Sequence, residues 1–358
     1  MNKIKISLLV LLSLYAKIVS AQETSDFGKS TFIKPNDSEI RYNGALYSLV
    51  TETEAELHRY TEDFFNNGFD GTLEITRART QPGISIGFKT NSPLIKLKFA
   101  KLENSQSRKR RFTVFKDKTQ AFDFISDLEF IIANPAKDSS EWEVYLPHFS
   151  GVKFLGLELS EGYTLLALPK EEKPLYIAVG NSITHGVGQT GTVDTYPYQV
   201  ANSLGFNYIN LATGGSEVSI ETLRNFEDVS PRLITILWGY NDVTYEADSL
   251  QGVMPIYDFL VSSLCTKFPQ ADIVCISQTF TTTVVGKVNP DNRIDSLRSW
   301  TKETVERLQK KYDNLFLLDG LKYASSENDL KDRVHLNEQG AQKLAEGIVA
   351  MFRANKNE

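Results

Sequence analysis

The sequence of 358 residues is poor in cysteine and carries an excess of negative charge, and both features exclude classes of protein. Two cysteines, Cys265 and Cys275, are too few for a disulfide framework, so we expect a buried thiol pair, with a single disulfide as the alternative. The sequence contains no Cys-x-x-Cys or His-Glu-x-x-His spacing, and neither a metal nor another cofactor is expected. The formal net charge of −6 argues against nucleic acid or an anionic membrane as the main partner.

Long apolar runs are also scarce, and the run at the N-terminus is short for a membrane span. Lys3 and Lys5 precede the apolar run Ile6–Ala16, and small residues at Val19–Ala21 suit a signal peptidase. We therefore predict a signal peptide at residues 1–21 and an exported protein, periplasmic or extracellular. No cysteine lies near the cleavage point, so neither a lipid anchor nor membrane insertion after cleavage is expected.

The rest of the chain is too long for one ordinary core and shows two different patterns. Residues 22–170 contain short alternating segments separated by turn residues, a pattern typical of a β-sandwich. We predict a jelly-roll-like accessory domain there. The strand candidates are residues 71–78, 83–90, 94–100, 111–117, 142–147, 152–159 and 163–168.

Residues 171–358 alternate apolar runs with longer amphipathic segments, which predicts an α/β domain with a parallel five-stranded sheet covered on both faces. In such a three-layer fold the functional groups lie at the carboxyl ends of the strands. The strand candidates are residues 175–180, 206–212, 232–239, 271–280 and 314–320, and the helix candidates are 196–204, 254–268, 293–312 and 337–353.

The first of these strands leads into the stretch Val179–Gly191, "VGNSITHGVGQTG", which allows two interpretations. Gly186, Gly188 and Gly191 fit the Gly-x-Gly-x-x-Gly pattern of a dinucleotide-binding turn. That turn needs its first glycine where the strand ends, and here the strand ends at Gly180; the acidic residue expected about 20 positions further on is also missing. We therefore interpret the later glycines as a mobile loop.

The other interpretation is a serine nucleophile at Ser182, two residues beyond the strand. Such a serine needs a base, a group that orients the base, and donors for an oxyanion. Other strand ends provide candidates for each: Gly214–Gly215, Asn241, and the pair Asp332 and His335. Because the carboxyl ends of parallel strands meet at one edge of the sheet, we expect these groups to lie together.

These four short motifs, "GNSIT", "LATGG", "GYND" and "DRVH", come in the order of the sequence blocks of the SGNH (GDSL-type) hydrolases, which the chain resembles over about residues 175–355. The resemblance implies the flavodoxin-like three-layer sandwich of that family. The β-rich segment before it is similar to the accessory domain of two-domain bacterial carbohydrate O-acetyl esterases of this group.

By this resemblance Ser182 is the nucleophile, His335 the general base and Asp332 the acid that orients the histidine. The oxyanion donors are the backbone N–H groups of Ser182 and Gly215 and the side-chain amide of Asn241. The alternatives are that His335 caps a helix, and that Gly215 and Asn241 serve only their turns.

Four neighbouring residues carry further hypotheses. Asn181 replaces the usual aspartate of the first block, whose role in the family is structural; this spelling is similar to that of acetyl-xylan-type esterases. Asp329 is an alternative to Asp332 as the acid. His185 and Tyr240 are candidate substrate contacts, the tyrosine because an aromatic face suits a sugar ring.

The resemblance implies a serine esterase, and export together with the accessory domain favours acetylated oligo- or polysaccharides as its substrate. A lipase or lysophospholipase is the enzyme alternative, although the sequence shows no strongly apolar amphipathic lid. A glycan-binding protein with an inactive hydrolase half is the non-enzymatic alternative. The sugar, the acetylated position and the oligomeric state stay open.

Overall fold

The structure is a computed structural model that describes residues 27–356 with the exception of 109, 126, 170–171, 246–248 and 283–289. The predicted signal peptide, residues 1–21, lies outside the described residues. None of the helices within the described ranges is long and apolar enough to cross a membrane. The two patterns of the sequence correspond to a β part, residues 27–169, and an α/β part, residues 172–356.

The β part contains a six-stranded and a five-stranded antiparallel sheet. In the first sheet the order is β3-β4-β11-β6-β9, with β1 also pairing with β11, and in the second it is β2-β5-β10-β7-β8. The strands are β1 Ser30–Ile33, β2 Arg41–Asn43, β3 Tyr47–Val50, β4 Ala55–His58, β5 Ser85–Thr90, β6 Leu94–Lys101, β7 Arg111–Lys116, β8 Thr119–Ile125, β9 Glu129–Ala133, β10 Ser140–Tyr145 and β11 Val152–Ser160.

One hydrophobic core joins these two sheets, as expected for a sandwich. Alternate residues of β6 and β10 are buried because successive side chains of a strand point to opposite faces. Phe99 and Phe112, from opposite sheets, have ring centroids 4.5 Å apart. The prediction of antiparallel sheets in front of the α/β part is confirmed.

Two of the predicted strands are wrong. Residues 71–78 contain the short helix α2, Ile75–Ala78, because the Glu74 side chain accepts a hydrogen bond from the N–H of Thr76 and caps a helical turn. Residues 163–168 make only an isolated bridge to β5. Alternation of apolar residues over a few positions did not distinguish these segments from true strands.

The α/β part contains a parallel sheet in the order β13-β12-β14-β15-β16, the 2-1-3-4-5 order of flavodoxin-like folds. Its strands are β12 Leu175–Gly180, β13 Asn207–Ala212, β14 Pro231–Leu237, β15 Asp272–Ile276 and β16 Leu315–Leu318. The helices of the described chain are α1 Glu62–Asn67, α2 Ile75–Ala78, α3 Ser182–His185, α4 Tyr196–Leu204, α5 Tyr240–Tyr245, α6 Ser249–Lys267, α7 Pro290–Leu308, α8 Gly320–Tyr323 and α9 Glu338–Lys356.

Helices cover both faces of this sheet. Ile177 and Val179 of β12 pack in one cluster with α6 and α7, and Tyr176 and Ala178 of the same strand pack in a second cluster with α4 and α9. A strand buried on both faces reads as a continuous apolar run, which is why the sequence signal was strong. The predicted three-layer sandwich is confirmed.

The two cysteines are free and buried, Cys265 in α6 and Cys275 in β15. Burial raises the pKa of each thiol to about 12, so neither is a reactive thiolate at neutral pH. This is the buried thiol pair that the sequence suggested, rather than a disulfide.

His148, between β10 and β11, is buried, and burial lowers its pKa from 6.5 to about 4. Between pH 6.5 and about 4 this histidine is protonated in the unfolded chain but neutral in the folded protein. The free energy of unfolding therefore falls as the pH is lowered through this window. We expect this residue to remove up to about 3 kcal/mol of the free energy of unfolding. Urea unfolding of wild type and His148→Gln at pH 7 and 4.5 measures the effect. The prediction fails if the difference between the two proteins does not change with pH.

Candidate active site

Ser182 lies directly beyond the carboxyl end of β12, where it begins the short helix α3. Asn181 caps this helix, and its side-chain oxygen accepts a hydrogen bond from the N–H of Ile183 at 3.4 Å. The asparagine side chain thus contacts the backbone of its own loop, and its structural role stays a prediction. The serine itself is 8% exposed and therefore largely buried.

His335 connects Ser182 to Asp332. Its Nε2 lies 2.9 Å from Oγ of Ser182, and its Nδ1 lies 2.7 Å from Oδ2 of Asp332. Because an ionised carboxylate only accepts hydrogen bonds, the proton of a neutral imidazole lies on Nδ1 and the lone pair of Nε2 faces the serine hydroxyl. This is the arrangement that a general base for Ser182 requires.

Asp332 is held by the backbone as well as by the histidine. Its Oδ1 accepts hydrogen bonds from the N–H groups of Val334 and His335, both at 2.8 Å. Burial alone would raise the pKa of Asp332, but these hydrogen bonds and the contact with the His335 side chain lower it below its usual value. The carboxylate is therefore ionised over the whole range in which a histidine acts as a base.

Asp329, the alternative acid, is fully buried and serves another purpose. Its Oδ2 accepts hydrogen bonds from the N–H groups of Ser325 and Ser326, and its Oδ1 pairs with Lys343 at 2.6 Å. These contacts fix the turn before the His335 segment and leave Asp329 away from the imidazole. The hypothesis that it replaces Asp332 is wrong.

The loop of residues 213–216, called here the Gly214 loop, lies between Ser182 and Asn241. The carbonyl oxygen of Gly180 accepts hydrogen bonds from the N–H of Thr213 and the hydroxyl of Ser216. A Cβ placed on Gly214 would lie 3.8 Å from the Cβ of Ser182. The loop is thus bound to the strand end that carries the nucleophile.

Asn241 holds the same loop from its other side. Its Nδ2 donates a hydrogen bond to the carbonyl oxygen of Ser216 at 2.7 Å, which uses one of its two N–H groups. The structure therefore brings the predicted donors Gly215 and Asn241 to the edge of the sheet that carries Ser182. Their role as oxyanion donors stays a prediction.

His185 is 1% exposed, and both of its ring nitrogens are hydrogen-bonded within the protein. Its Nε2 lies 2.7 Å from the carbonyl oxygen of His148, to which it must donate, and its Nδ1 accepts the N–H of Gly214 at 3.0 Å. Burial holds the pKa of His185 well below 6.5, so the ring is neutral, as these two bonds require. The hypothesis of a substrate contact is wrong because the β part covers this ring.

Tyr240 follows β14 and is 8% exposed within the hydrophobic cluster on one face of the sheet. Its exposed fraction equals that of Ser182, and its role as a substrate contact stays a prediction. Trp238, directly after the end of β14, is buried, and its Nε1 donates to the carbonyl oxygen of Ser216 at 3.3 Å. The indole therefore supports the Gly214 loop from the core.

The middle glycine of the Gly-x-Gly-x-x-Gly pattern, Gly188, packs against the histidine segment, so this part of the loop is not the free loop that we expected. A Cβ on Gly188 would lie 3.2 Å from the Cβ of His335, and the side chain of Gln189 donates to the carbonyl oxygen of Leu336. Close approach of two backbones accounts for a glycine here without any phosphate. No local pattern in the sequence indicates this contact between residues 147 positions apart.

Gly215 has φ of +85°, and a Cβ placed on it would lie 2.6 Å from Nη1 of Arg77. We expect Gly215→Ala to reduce kcat by roughly 10- to 100-fold, since the added Cβ is strained at this φ and displaces the guanidinium of Arg77, and to lower the free energy of unfolding by about 1 kcal/mol. Ester hydrolysis and urea unfolding measure both effects.

The matched control for this substitution is Gly205→Ala, at a glycine with φ of +69° and open space around it. This variant is expected to lose similar stability and to keep wild-type kcat, because Gly205 ends α4 away from the site. Equal kcat values for the two variants would show that the conformation at Gly215 does not matter for activity.

Among the described residues, no group of three or more His, Cys, Asp or Glu side chains is arranged to hold a metal ion.

Several solved structures share the fold over almost the whole chain. A salicylyl-acyltransferase from a tetracycline biosynthetic pathway superposes with a TM-score of 0.77 at 19% identity, covering 91% of this chain and 98% of that one. A family two carbohydrate esterase from Clostridium thermocellum in complex with cellohexaose gives 0.66 at 14% identity, covering 89% and 99%. An acetyl xylan esterase from the rumen bacterium Butyrivibrio proteoclasticus gives 0.64 at 10% identity, covering 92% and 99%.

Comparison at the level of sequence complements this similarity of fold. No curated protein matches the chain significantly. Residues 178–343 match the model of the GDSL-like lipase/acylhydrolase family.

Taken together, the fold and the family match define an ester-hydrolysing serine hydrolase. Over residues 178–343 the α/β part is similar to the GDSL-like lipase/acylhydrolase family, as its four motifs predicted.

Proposed function

We propose that the protein is an exported esterase that hydrolyses O-acetyl esters of carbohydrates with Ser182, His335 and Asp332 as its catalytic triad. The observation that carries the proposal is the pair of short contacts through His335, 2.9 Å to the serine hydroxyl and 2.7 Å to the carboxylate. These three side chains come from segments separated by up to 153 residues in the sequence.

In the acylation step Oγ of Ser182 attacks the ester carbonyl while Nε2 of His335 takes its proton. The imidazolium that forms is stabilised by the carboxylate of Asp332, and it then gives the proton to the leaving alcohol of the sugar. The oxygen of the tetrahedral intermediate accepts hydrogen bonds from the N–H groups of Ser182 and Gly215 and from the side chain of Asn241.

In the deacylation step water replaces the alcohol. His335 removes a proton from the water, which attacks the acetyl-serine carbonyl, and returns the proton to Ser182 as acetate leaves. The same donors receive the second oxyanion. The sequence of bond making and breaking is therefore complete with protein groups and water.

A carbohydrate substrate is supported by two of the structures with the same fold, a carbohydrate esterase in complex with cellohexaose and an acetyl xylan esterase. The resemblance of "GNSIT" to acetyl-xylan-type esterases supports an acetyl group. Residues 1–21 predict export to the periplasm or the extracellular space. Such a location is consistent with a polysaccharide substrate.

The test is hydrolysis of p-nitrophenyl acetate, octanoate and palmitate, followed by release of acetate from a panel of acetylated polysaccharides. We expect kcat/KM to fall with acyl chain length and acetate to be released from at least one acetylated polysaccharide. A preference for the long chains would identify a lipase. Binding to glycans without hydrolysis by wild type would identify a glycan-binding protein with an inactive hydrolase half.

A further inference from the structure

We propose that the β part is a component of the active site, because its Arg77 fixes the peptide group that carries the N–H of Gly215. This inference rests on the proposed function, in which that N–H binds the oxyanion. It assigns Arg77 as a positioning residue and gives the β part a task in the reaction itself.

The first observation is the contact of Arg77 with the Gly214 loop. Nη1 of Arg77, from helix α2 of the β part, donates a hydrogen bond to the carbonyl oxygen of Gly214 at 2.8 Å. The carbonyl of Gly214 and the N–H of Gly215 belong to one planar trans peptide group and point in opposite directions. Fixing the oxygen towards Arg77 therefore fixes the direction of the N–H away from it.

The second observation concerns the peptide group on the other side of Gly214. Its N–H donates to Nδ1 of His185, whose Nε2 donates to the carbonyl oxygen of His148 and also lies 3.1 Å from Oγ1 of Thr80. Because His148 and Thr80 belong to the β part, that part sets the orientation of the imidazole. Both peptide groups that flank Gly214 are thus held, directly or through one ring, by the β part.

The third observation is the anchoring of the strand that leads into the loop. Arg59 is fully buried, and its guanidinium donates to the carbonyl oxygens of Asn210 and Ala212, the latter at 2.8 Å. The hydroxyl of Tyr60 lies 2.9 Å from Oγ1 of Thr213. The β part is therefore hydrogen-bonded to the end of β13 and to Thr213, where the loop begins.

The positive charge of Arg77 contributes in addition to the position of its side chain. Its side chain is 36% exposed, and its Nε pairs with Glu74 at 3.2 Å. A cationic donor on the carbonyl oxygen of Gly214 polarises the peptide group and makes the N–H of Gly215 a stronger donor. Loss of the guanidinium is thus expected to weaken binding of the transition state more than binding of the ester.

The main test compares wild type with Arg77→Ala and Arg77→Lys in p-nitrophenyl acetate hydrolysis. The matched control is Arg79→Ala, two residues along the chain, whose guanidinium lies over the ring of Phe65 at 5.0 Å. For Arg77→Ala we expect kcat to fall by roughly 10- to 100-fold with KM within about threefold of wild type, partial recovery in Arg77→Lys, and wild-type kcat in Arg79→Ala.

A transition-state mimic supplies a readout that general loosening of the fold would not reproduce. A boronic acid forms a tetrahedral anion on the active-site serine, and its inhibition constant should weaken in Arg77→Ala by the same factor as kcat falls. Circular dichroism checks that each variant is folded. A kcat for Arg77→Ala within twofold of wild type, or a loss shared equally with Arg79→Ala, would overturn the proposal.

Hydrogen exchange separates failure of this inference from failure of the proposed function. Arg77→Ala should raise amide exchange in residues 210–216 and leave β16 unchanged, and this holds whether or not the protein hydrolyses the ester. Unchanged exchange would refute the positioning role. An inactive wild type with the expected change in exchange would refute the proposed function and leave the contact between the β part and the loop confirmed.

Discussion

Ser182→Ala is expected to abolish ester hydrolysis, with kcat reduced by at least about 10⁴-fold, because it removes the hydroxyl that lies at Nε2 of His335. His335→Ala is expected to cause a loss of similar size, since serine without its base is a weak nucleophile. The double variant should be no worse than either single one, because the two residues act as a unit. Steady-state kinetics with p-nitrophenyl acetate measures all three.

The control is Ser203→Ala, which removes an exposed hydroxyl at the end of α4 and should leave kcat unchanged. Thermal unfolding monitors the fold of every variant. Retention of more than one hundredth of the wild-type kcat by Ser182→Ala would contradict a covalent role for this serine. A double variant much worse than Ser182→Ala would show that His335 acts elsewhere.

Asp332→Asn is expected to reduce kcat by about 10³- to 10⁴-fold although it changes one atom. In the wild type Oδ1 accepts two backbone N–H groups and Oδ2 accepts the proton of Nδ1. In the variant the side-chain oxygen still accepts the two backbone N–H groups. The NH₂ group therefore faces Nδ1 of the His335 imidazole. Nδ1 must then accept, the ring proton moves to Nε2, and the base can no longer take the proton of Ser182.

The measurement is kcat across pH 5 to 9, with urea unfolding alongside. Because the two backbone hydrogen bonds are retained, the free energy of unfolding of Asp332→Asn should lie within about 1 kcal/mol of the wild-type value. A kcat within fivefold of wild type would show that Ser182 and His335 act as a pair without an acid. A large loss of stability together with activity would instead assign Asp332 to the fold of its turn.

The sequence predicted most of what is local to the α/β part. Strand β12 and helix α4 have the predicted bounds, because a strand buried on both faces and a helix that ends at Gly205 give strong local patterns. The convergence of Ser182 and His335 followed from one rule, that parallel strands end at one edge of the sheet.

The sequence did not reveal contacts between the two parts. Arg77 lies 137 residues from Gly214, and its helix α2 has the alternation of a strand, so nothing in its neighbourhood indicated a role at the site. His185 was interpreted as a substrate contact because its distance from Ser182 is short in sequence. Only the docking of the β part shows that the ring is covered and bonded on both nitrogens.

The most direct test of the account is covalent labelling with a fluorophosphonate, which reacts with serines activated by a neighbouring base. Mass spectrometry of the intact protein and of its peptides locates the label. The account predicts one label per chain, on Ser182, lost in Ser182→Ala and formed far more slowly in His335→Ala and Asp332→Asn. No labelling of the folded wild type, or a label on another residue, would contradict it.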